Sequence, residues 1–420
     1  MAERKLQDMA DHLKRLITVD GNRTEETEEK VKAYYRQGMA YYSLGDFHQA
    51  IECFKQILNI AKDTGDIDSE RIVYNNLGCA YEFLSEFQRA IEYHEKSLSI
   101  SKKIGDREGE GCAYGNLGYS YQSLSEFQRA KKYHQQHLSI ARELGNKMCE
   151  GIAYGGLGCA YESLSEFQRT NEYQKKSLSI AKEIGDREGE GCAYGNLGIV
   201  YHSFSEFQLA VECNKKCLSI TKEIGDRKRE LAGYLNLGRS YQSLGEFERA
   251  RAYYEKSLII FKEIGPRAAE GGAYCILGEV YKSLRDFPRA MEYYKEYLVI
   301  ANEVGDRVGE GEACRSLGEI HSYLGDHQLA IWCYKQYLST AKEFGDRSGE
   351  GVAYYHLGRA YYLLEDFQEA IECSKQHLRI AEEIGERMGE KCAHAILGLS
   401  LLQLGFLNEA LPHLRFLDAV

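Results

Sequence analysis

The sequence predicts an all-α solenoid of about ten helical hairpins. A glycine recurs at the same point of every forty-residue period from residue 38 to residue 398, with no insertion or deletion between copies. Residues 105–118 recur letter for letter at 185–198, two periods later. Apolar residues within each period follow the three- and four-residue spacing of helices. Such fixed periods are typical of stacked helical units in which each unit contacts only its neighbours.

The first helix of a repeat is illustrated by the third repeat, residues 106–145. Gly105 can end the preceding helix in a left-handed conformation, and Asp106 can cap the next helix. An apolar stripe follows at helical spacing, and its members are Ala113, Tyr114, Leu117, Gly118 and Tyr121.

A turn and a second helix complete the repeat. Ser125 and Gln128 have the spacing of a capping box, with serine as N-cap. The same pairs stand at Ser85/Gln88, Ser165/Gln168 and Ser205/Gln208. The second helix is expected to run to Gly145, and its inner face consists of Phe127, Ala130, Tyr133, Leu138 and Ile140. Each helix has about eighteen residues and is about 27 Å long.

Gly118 and Ala130 carry little or no side chain. Glycine costs about 1 kcal/mol relative to alanine inside a helix, yet it recurs in every repeat. We therefore expect two helix backbones to nearly touch at this point, with Tyr114, Tyr121 and Phe127 filling the surrounding volume.

The two ends of the chain differ from the repeats. Residues 1–30 combine a polar linker with an amphipathic helix, whose apolar positions are Leu6, Met9, Ala10, Leu13, Leu16 and Ile17. We expect this helix to cap the first repeat, with a flexible tail as the alternative. The array spans residues 31–420, and its last repeat is short. Because residues 406–420 are apolar and arrays need polar ends, we expect the chain to belong to a longer protein, or this end to bind a partner.

Composition excludes several classes of function. The formal net charge is −11 with both signs interleaved, whereas nucleic-acid binding requires an excess of Lys and Arg. The thirteen cysteines often replace small apolar residues of sister repeats, as at Cys112, Cys192 and Cys392, which indicates reduced thiols. The N-terminus lacks the apolar core of a signal peptide, and no stretch is apolar enough to span a membrane. A cytoplasmic location is therefore predicted.

No enzyme chemistry is predicted. The sequence contains no Walker A loop, no Gly-x-Ser-x-Gly elbow and no His-Glu-x-x-His motif. Cys213 and Cys217 share a helix face, but no second Cys or His pair is placed to complete a tetrahedral metal site. The sequence thus predicts no catalytic residue, no cofactor and no metal.

The repeat resembles a known family. The order aromatic, Leu-Gly, Tyr and Ala is similar to the tetratricopeptide repeat, and its positions here are Tyr114, Leu117, Gly118, Tyr121 and Ala130. This resemblance covers about residues 31–420 and implies a right-handed superhelix whose concave groove is lined by the first helices. The forty-residue form, joined by Gly-Asp-Arg, is similar to the LGN/Pins spindle-orientation adaptors and to arrays of the tetratricopeptide repeat protein 28 type. That likeness implies a role in spindle or cell-division assemblies.

The groove positions follow from the resemblance, with the Leu-Gly pair as anchor. The residue before this pair is Asn76, Asn116, Asn196 or Asn236 in four of the repeats. Their carboxamides could pair with the backbone of an extended peptide, and the alternative is that they bridge neighbouring hairpins. LGN-like adaptors often carry asparagine directly after Leu-Gly, which is absent here, and the GoLoco motifs are also missing. G-protein binding is therefore not assigned.

The second half of the groove is expected to be charged. The residue after Leu-Gly is Arg239, Glu279, Glu319 or Arg359 in successive repeats, and Lys282 and Arg315 occupy nearby groove positions. The cationic groups could bind acidic side chains of a partner peptide. The alternative is internal pairing of the two arginines, Arg239 and Arg359, with the two glutamates of adjacent repeats.

The sequence therefore predicts a protein–protein interaction scaffold or adaptor. Its partners would be proteins, bound through extended or helical peptide segments, acidic segments among them. The alternative function is a structural, self-associating array that forms a fragment of a larger protein.

Overall fold

The computed structural model describes residues 25–419, in which twenty helices form consecutive hairpins and no strand is present. The predicted all-α class and the helical-hairpin repeat are confirmed. The predicted N-terminal capping helix lies outside the described residues. The first described helix begins at Glu25, within the segment expected to be a polar linker. No described helix combines the length and the apolar composition that a membrane span requires.

The chain divides into two compact units, one ending at Asp226 and the other beginning at Arg227. The first unit contains α1 (Glu25–Leu44), α2 (Phe47–Thr64), α3 (Ile67–Phe83), α4 (Phe87–Ile104), α5 (Arg107–Ser123), α6 (Phe127–Glu143), α7 (Lys147–Ser163), α8 (Phe167–Glu183), α9 (Arg187–Ser203) and α10 (Phe207–Glu223). The second contains α11 (Arg227–Ser243), α12 (Phe247–Ile264), α13 (Arg267–Ser283), α14 (Phe287–Val304), α15 (Arg307–Leu324), α16 (His327–Glu343), α17 (Arg347–Leu363), α18 (Phe367–Ile384), α19 (Arg387–Gln403) and α20 (Leu407–Ala419). Odd-numbered helices are the first helices of their repeats.

Aspartate and glycine separate the repeats as predicted. Asp106 Oδ1 accepts a hydrogen bond from the backbone N–H of Gly109 at 2.9 Å, and Gly105 ends α4 with a φ of 77°. The corresponding Gly265 has a φ of −88° instead. The left-handed ending needs a backbone N–H on the next residue to satisfy a helix carbonyl, and Pro266 has none.

The predicted serine capping boxes are wrong. Ser125 has a φ of 61°, and its N–H donates to the carbonyl of Gln122 at 3.0 Å. It is therefore the left-handed residue that ends α5, while Glu126 is the N-cap of α6 and makes no side-chain capping bond. The same left-handed conformation is found at Ser85, Ser165, Ser205, Arg285 and Glu365, and at Gly45, Gly245, Gly325 and Gly405.

Stacked tyrosines join the two helices of a hairpin. The rings of Tyr121 and Tyr133 lie 5.2 Å apart and nearly parallel, and the Arg129 guanidinium lies 5.4 Å from the centre of the Tyr121 ring. Equivalent stacks occur at Tyr81/Tyr93, Tyr161/Tyr173, Tyr241/Tyr253 and Tyr281/Tyr293. Offset stacking and cation–π contact each add to the area these rings bury.

An arginine at the start of each of six first helices closes its hairpin. Arg107 donates to Glu110 within α5 and to Glu143 at the end of α6. The same connection from first to second helix is made by Arg187, Arg227, Arg267, Arg307 and Arg347. This explains why the junction reads Gly-Asp-Arg and why a glutamate ends the second helix.

The recurrent glycine faces a side chain of the second helix, sixteen residues later. A Cβ on Gly118 would lie 2.5 Å from Cε1 of His134. The close approach is thus between the α5 backbone and a side chain, not between two backbones as the sequence predicted. We call this space the socket of a repeat. It is filled, from the first repeat to the last, by Phe54, His94, His134, Gln174, Asn214, Tyr254, Tyr294, Tyr334, Ser374 and Leu414.

Candidate peptide-binding site

The first helices form one side of each unit. Within the units, α3 contacts α5, α5 contacts α7, α7 contacts α9, and α17 contacts α19, whereas second helices of neighbouring repeats contact each other less. We call this side the first-helix face. The groove positions predicted from the sequence lie on the helices that form it, so the candidate site can be built from their contacts.

The predicted asparagine row is not uniform. Asn76 is fully buried. Asn116 is half-buried, and its Nδ2 donates to Asn75 Oδ1 of the preceding repeat at 2.9 Å. Asn196 Nδ2 contacts the Sγ atom of Cys159 in the preceding repeat at 3.5 Å. Asn116 and Asn196 thus bridge neighbouring hairpins, which was the alternative to ligand binding.

Asn236 is the member of the row that belongs to the second unit. It is half-buried on α11, two residues before the socket glycine. Its position beside the exposed Arg239 makes it the asparagine best placed to act together with a cation.

A network of ion pairs spans the seventh and eighth repeats. Lys282 Nζ lies 2.9 Å from Glu279 and 3.0 Å from Glu319 of the next repeat. Arg315 donates to the same Glu319 and, at 2.7 Å, to Glu312. Three carboxylates therefore surround two cations. Lys282 and Arg315, which the sequence offered as ligands for acidic peptides, are already neutralised.

Burial and pairing compete within this network. Burial disfavours the ionised form of Glu279, but hydrogen bonds from Tyr294 and Lys282 outweigh it and keep the pKa below its usual value. Burial likewise disfavours the charge on Lys282, but its bonds to Glu279 and Glu319 raise the Lys282 pKa. Both groups are therefore charged at neutral pH, and the network keeps its side chains in place.

Arg239 and Arg359 flank the network and behave differently. Both are exposed, and neither forms an ion pair with any described residue. The alternative in which they pair with Glu279 and Glu319 is not found, because those two glutamates bind Lys282 and Arg315 instead. Two guanidinium groups thus remain available on the first-helix face of the second unit.

Comparison with known proteins identifies the family. The sequence profile of the tetratricopeptide repeat matches residues 29–103, 109–183, 229–303 and 312–383, well over half of the chain. The chain belongs to the tetratricopeptide repeat family. No curated protein sequence is significantly similar to it.

Solved structures share the fold of this tetratricopeptide repeat protein at low identity. A STAND protein with a tetratricopeptide repeat sensor from Pyrococcus horikoshii has a TM-score of 0.64 and 16% identity, covering 94% of this chain and 66% of that one. The quorum sensor NprR from B. thuringiensis, in its apo form, has a TM-score of 0.55 and 14% identity, covering 80% and 92%. Apo RapI has a TM-score of 0.50 and 13% identity, covering 66% and 99%.

A cleft beside the ion-pair network completes the candidate site of this tetratricopeptide repeat protein. It has a volume of about 380 Å³ and includes Lys282, Arg285, Phe287 and Tyr323 in its wall. The rings of Phe287 and Tyr323 lie 4.7 Å apart, and Arg285 donates to the Tyr323 hydroxyl at 2.6 Å. This cleft was not predicted from the sequence. Its one signal there is Arg285, at a position where eight other repeats have serine or glycine and one has Glu365.

Proposed function

We propose that this protein is an interaction scaffold that binds peptide segments of partner proteins on its first-helix face. In the second unit, Arg239 and Arg359 bind acidic side chains of the partner. The observation that carries the proposal is the contrast between these two exposed, unpaired guanidinium groups and the neutralised network between them. An exposed guanidinium offers a planar pair of donors that fits a carboxylate.

The other predicted residues take different roles in this proposal. Lys282 and Arg315 hold the surface between the two arginines in shape, because their charges are satisfied internally. Asn236 provides amide groups beside Arg239 for the backbone of the bound segment. Asn116 and Asn196 stabilise the stacking of repeats in the first unit, and Asn76 is buried away from any bound segment.

The comparisons support the fold on which this proposal rests. Two of the structural neighbours are described as a quorum sensor and as a protein with a tetratricopeptide repeat sensor, which agrees with a surface that receives a ligand. The proposal places the chain in the cytoplasm and includes no catalysis, nucleic acid or cofactor. The narrower hypothesis of a role in spindle or cell-division assemblies rests on the sequence resemblance alone.

The test uses fluorescent peptides, extended and helical, each made in an acidic form and in a neutral form with amides in place of carboxylates. Arg239→Ala combined with Arg359→Ala should weaken binding of the acidic peptides at least tenfold, and raised salt should have a similar effect. The matched control is Arg249→Ala combined with Arg289→Ala, which removes two arginines that bind acidic neighbours on second helices. Equal binding by both double variants would contradict the role of the two arginines.

Self-association is the second candidate function. The last described hairpin exposes Phe406 at 50% and Leu407 at 54% of their surface, and Leu402, Leu404 and Leu411 are also exposed. An apolar patch of this kind can pack against a second copy. Light scattering on the purified chain decides between the two functions, because a monomer at high concentration argues against self-association.

A further inference from the structure

The second repeat contains a buried cluster of three different potential metal ligands. Cys79 and Glu82 lie one turn apart on α3, and His94 lies on α4 in the socket of Gly78. One ligand atom from each residue, a thiol sulfur, a carboxylate oxygen and a ring nitrogen, lies within 4.8 Å of the others. Among the described residues, this is the one place where three such ligands converge.

His94 is the residue that its surroundings leave unsatisfied. Its side chain is 0% exposed, and neither ring nitrogen makes a hydrogen bond with any described residue. Its Nε2 is 3.5 Å from Glu82 Oε1, while that same oxygen accepts a hydrogen bond of 2.6 Å from Ser120. Buried polar groups normally have partners, and the His94 imidazole can take one beside the Cys79 thiol and the Glu82 carboxylate.

We propose that Cys79, Glu82 and His94 bind a divalent transition metal ion, with zinc as the best match. Thiolate, imidazole and carboxylate are the three side-chain ligand types that zinc takes in proteins. Three protein ligands leave a fourth position for water or for a group of a bound partner. Binding would replace the thiol proton of Cys79 with the metal. The cluster was not predicted from the sequence, because its residues lie on two helices and do not recur together.

The groups around the cluster suit a cation. Asn116 Nδ2 lies 3.8 Å from Cys79 Sγ, and Ser120 fixes the Glu82 carboxylate, so both ligands are oriented by neighbours from the next repeat.

The fourth repeat provides a natural comparison. Cys159 and Glu162 occupy the same positions as Cys79 and Glu82, but the socket holds Gln174 instead of histidine. Gln174 Nε2 contacts Cys159 Sγ at 3.7 Å, so the socket side chain reaches the thiol in this repeat as well. The chain therefore shows that glutamine fits the socket beside a cysteine and a glutamate.

The experiment titrates the full reduced chain with Co²⁺ as a spectroscopic probe and then displaces it with Zn²⁺. The wild type should give a thiolate-to-cobalt absorption band for one bound ion. His94→Gln, which copies the fourth repeat, should remove this band and weaken binding at least about 100-fold. The control His134→Gln changes a buried socket histidine that has Tyr119 and Gln122 in place of the other two ligands, and it should leave the band unchanged.

A gain-of-site variant makes the proposal testable without a loss of folding. Gln174→His should complete a second set of ligands in the fourth repeat and raise the number of bound cobalt ions from one to two. The proposal is overturned if the wild type gives no thiolate band, or if His94→Gln binds as tightly as the wild type. It is also overturned if Gln174→His, folded by circular dichroism, gains no ion, because three ligands of these types would then be insufficient.

Discussion

His134 occupies the space that a side chain on Gly118 would need, since a Cβ on Gly118 would lie 2.5 Å from the imidazole. The imidazole is fully buried, so it has little freedom to move away. This contact gives the recurrent glycine a physical reason, and it leads to a direct test.

Gly118→Ala should destabilise the third repeat by about 1–3 kcal/mol, the usual cost of overpacking a core. This cost exceeds the gain of up to about 1 kcal/mol that alanine gives a helix. In a His134→Ala background the same change should be neutral or stabilising, because the socket is then empty. Unfolding midpoints of the four proteins in a double-mutant cycle measure the coupling. An equal cost in both backgrounds would contradict the contact.

Asp346 should act mainly as a helix cap. Its Oδ1 accepts a hydrogen bond of 2.9 Å from the backbone N–H of Gly349. Asp346→Ala should therefore cost about 1 kcal/mol, whereas Asp346→Asn should be nearly neutral, because Asn146 makes the same capping bond in the fourth repeat. Urea unfolding of the two variants measures the difference. A similar loss in both would assign the effect to charge instead of capping.

Acid should destabilise the third repeat. Burial, helped by the nearby His137, lowers the pKa of His134 to about 3, and burial lowers the pKa of His137 to about 4. Unfolded histidine titrates near pH 6.5, so the unfolded state takes up protons first as the pH falls. Stability is complete above about pH 6.5 and decreases below it, by up to about 1.4 kcal/mol per pH unit for each histidine.

Hydrogen exchange of α5 and α6 amides between about pH 7 and pH 5 measures this loss, after correction for the intrinsic exchange rate. His134→Gln combined with His137→Ser copies Gln174 and Ser177 of the fourth repeat and should flatten the pH dependence. An unchanged slope in that variant would assign acid sensitivity to other groups.

Lys282 should contribute to the stability of the fold, whereas Arg359 should not. Lys282→Met leaves Glu279 and Glu319 without their shared cation, and it should cost about 1–2 kcal/mol after solvent screening. Arg359→Met removes an exposed group without an ion pair among the described residues and should leave the unfolding midpoint unchanged. Thermal unfolding of both variants distinguishes the two roles, and equal losses would contradict the separation of network and free arginine.

The residues that end and cap the helices were the most predictable part of the fold. The left-handed Gly105 and the capping Asp106 follow from backbone preferences of those residues, and both predictions are confirmed. Ser125 was assigned to the wrong helix because serine is a common N-cap. The signal that could have corrected this assignment was present, since Gly45 and Gly245 hold the same register and favour the left-handed conformation.

The contacts of the candidate site were less predictable. Every repeat has the socket glycine, but the side chain that this glycine faces differs between repeats, from Phe54 to Ser374. No recurring residue type in the sequence therefore identifies that side chain. On the first-helix face, helix register brings several charges within reach of one another. The carboxylates that pair with Lys282 and Arg315 depend on side-chain conformations, and sequence spacing does not determine these conformations.

The side chain in the socket differs between repeats, although the two helices that enclose it are the same in each hairpin. Because each glycine leaves room for an aromatic ring, an imidazole, an amide or a hydroxyl, one buried position per repeat can be exchanged while the helices around it stay the same. A protein engineer could therefore install a different reactive or spectroscopic group at chosen depths along one array. Within each unit, the forty-residue period would set how far apart such groups stand in the sequence.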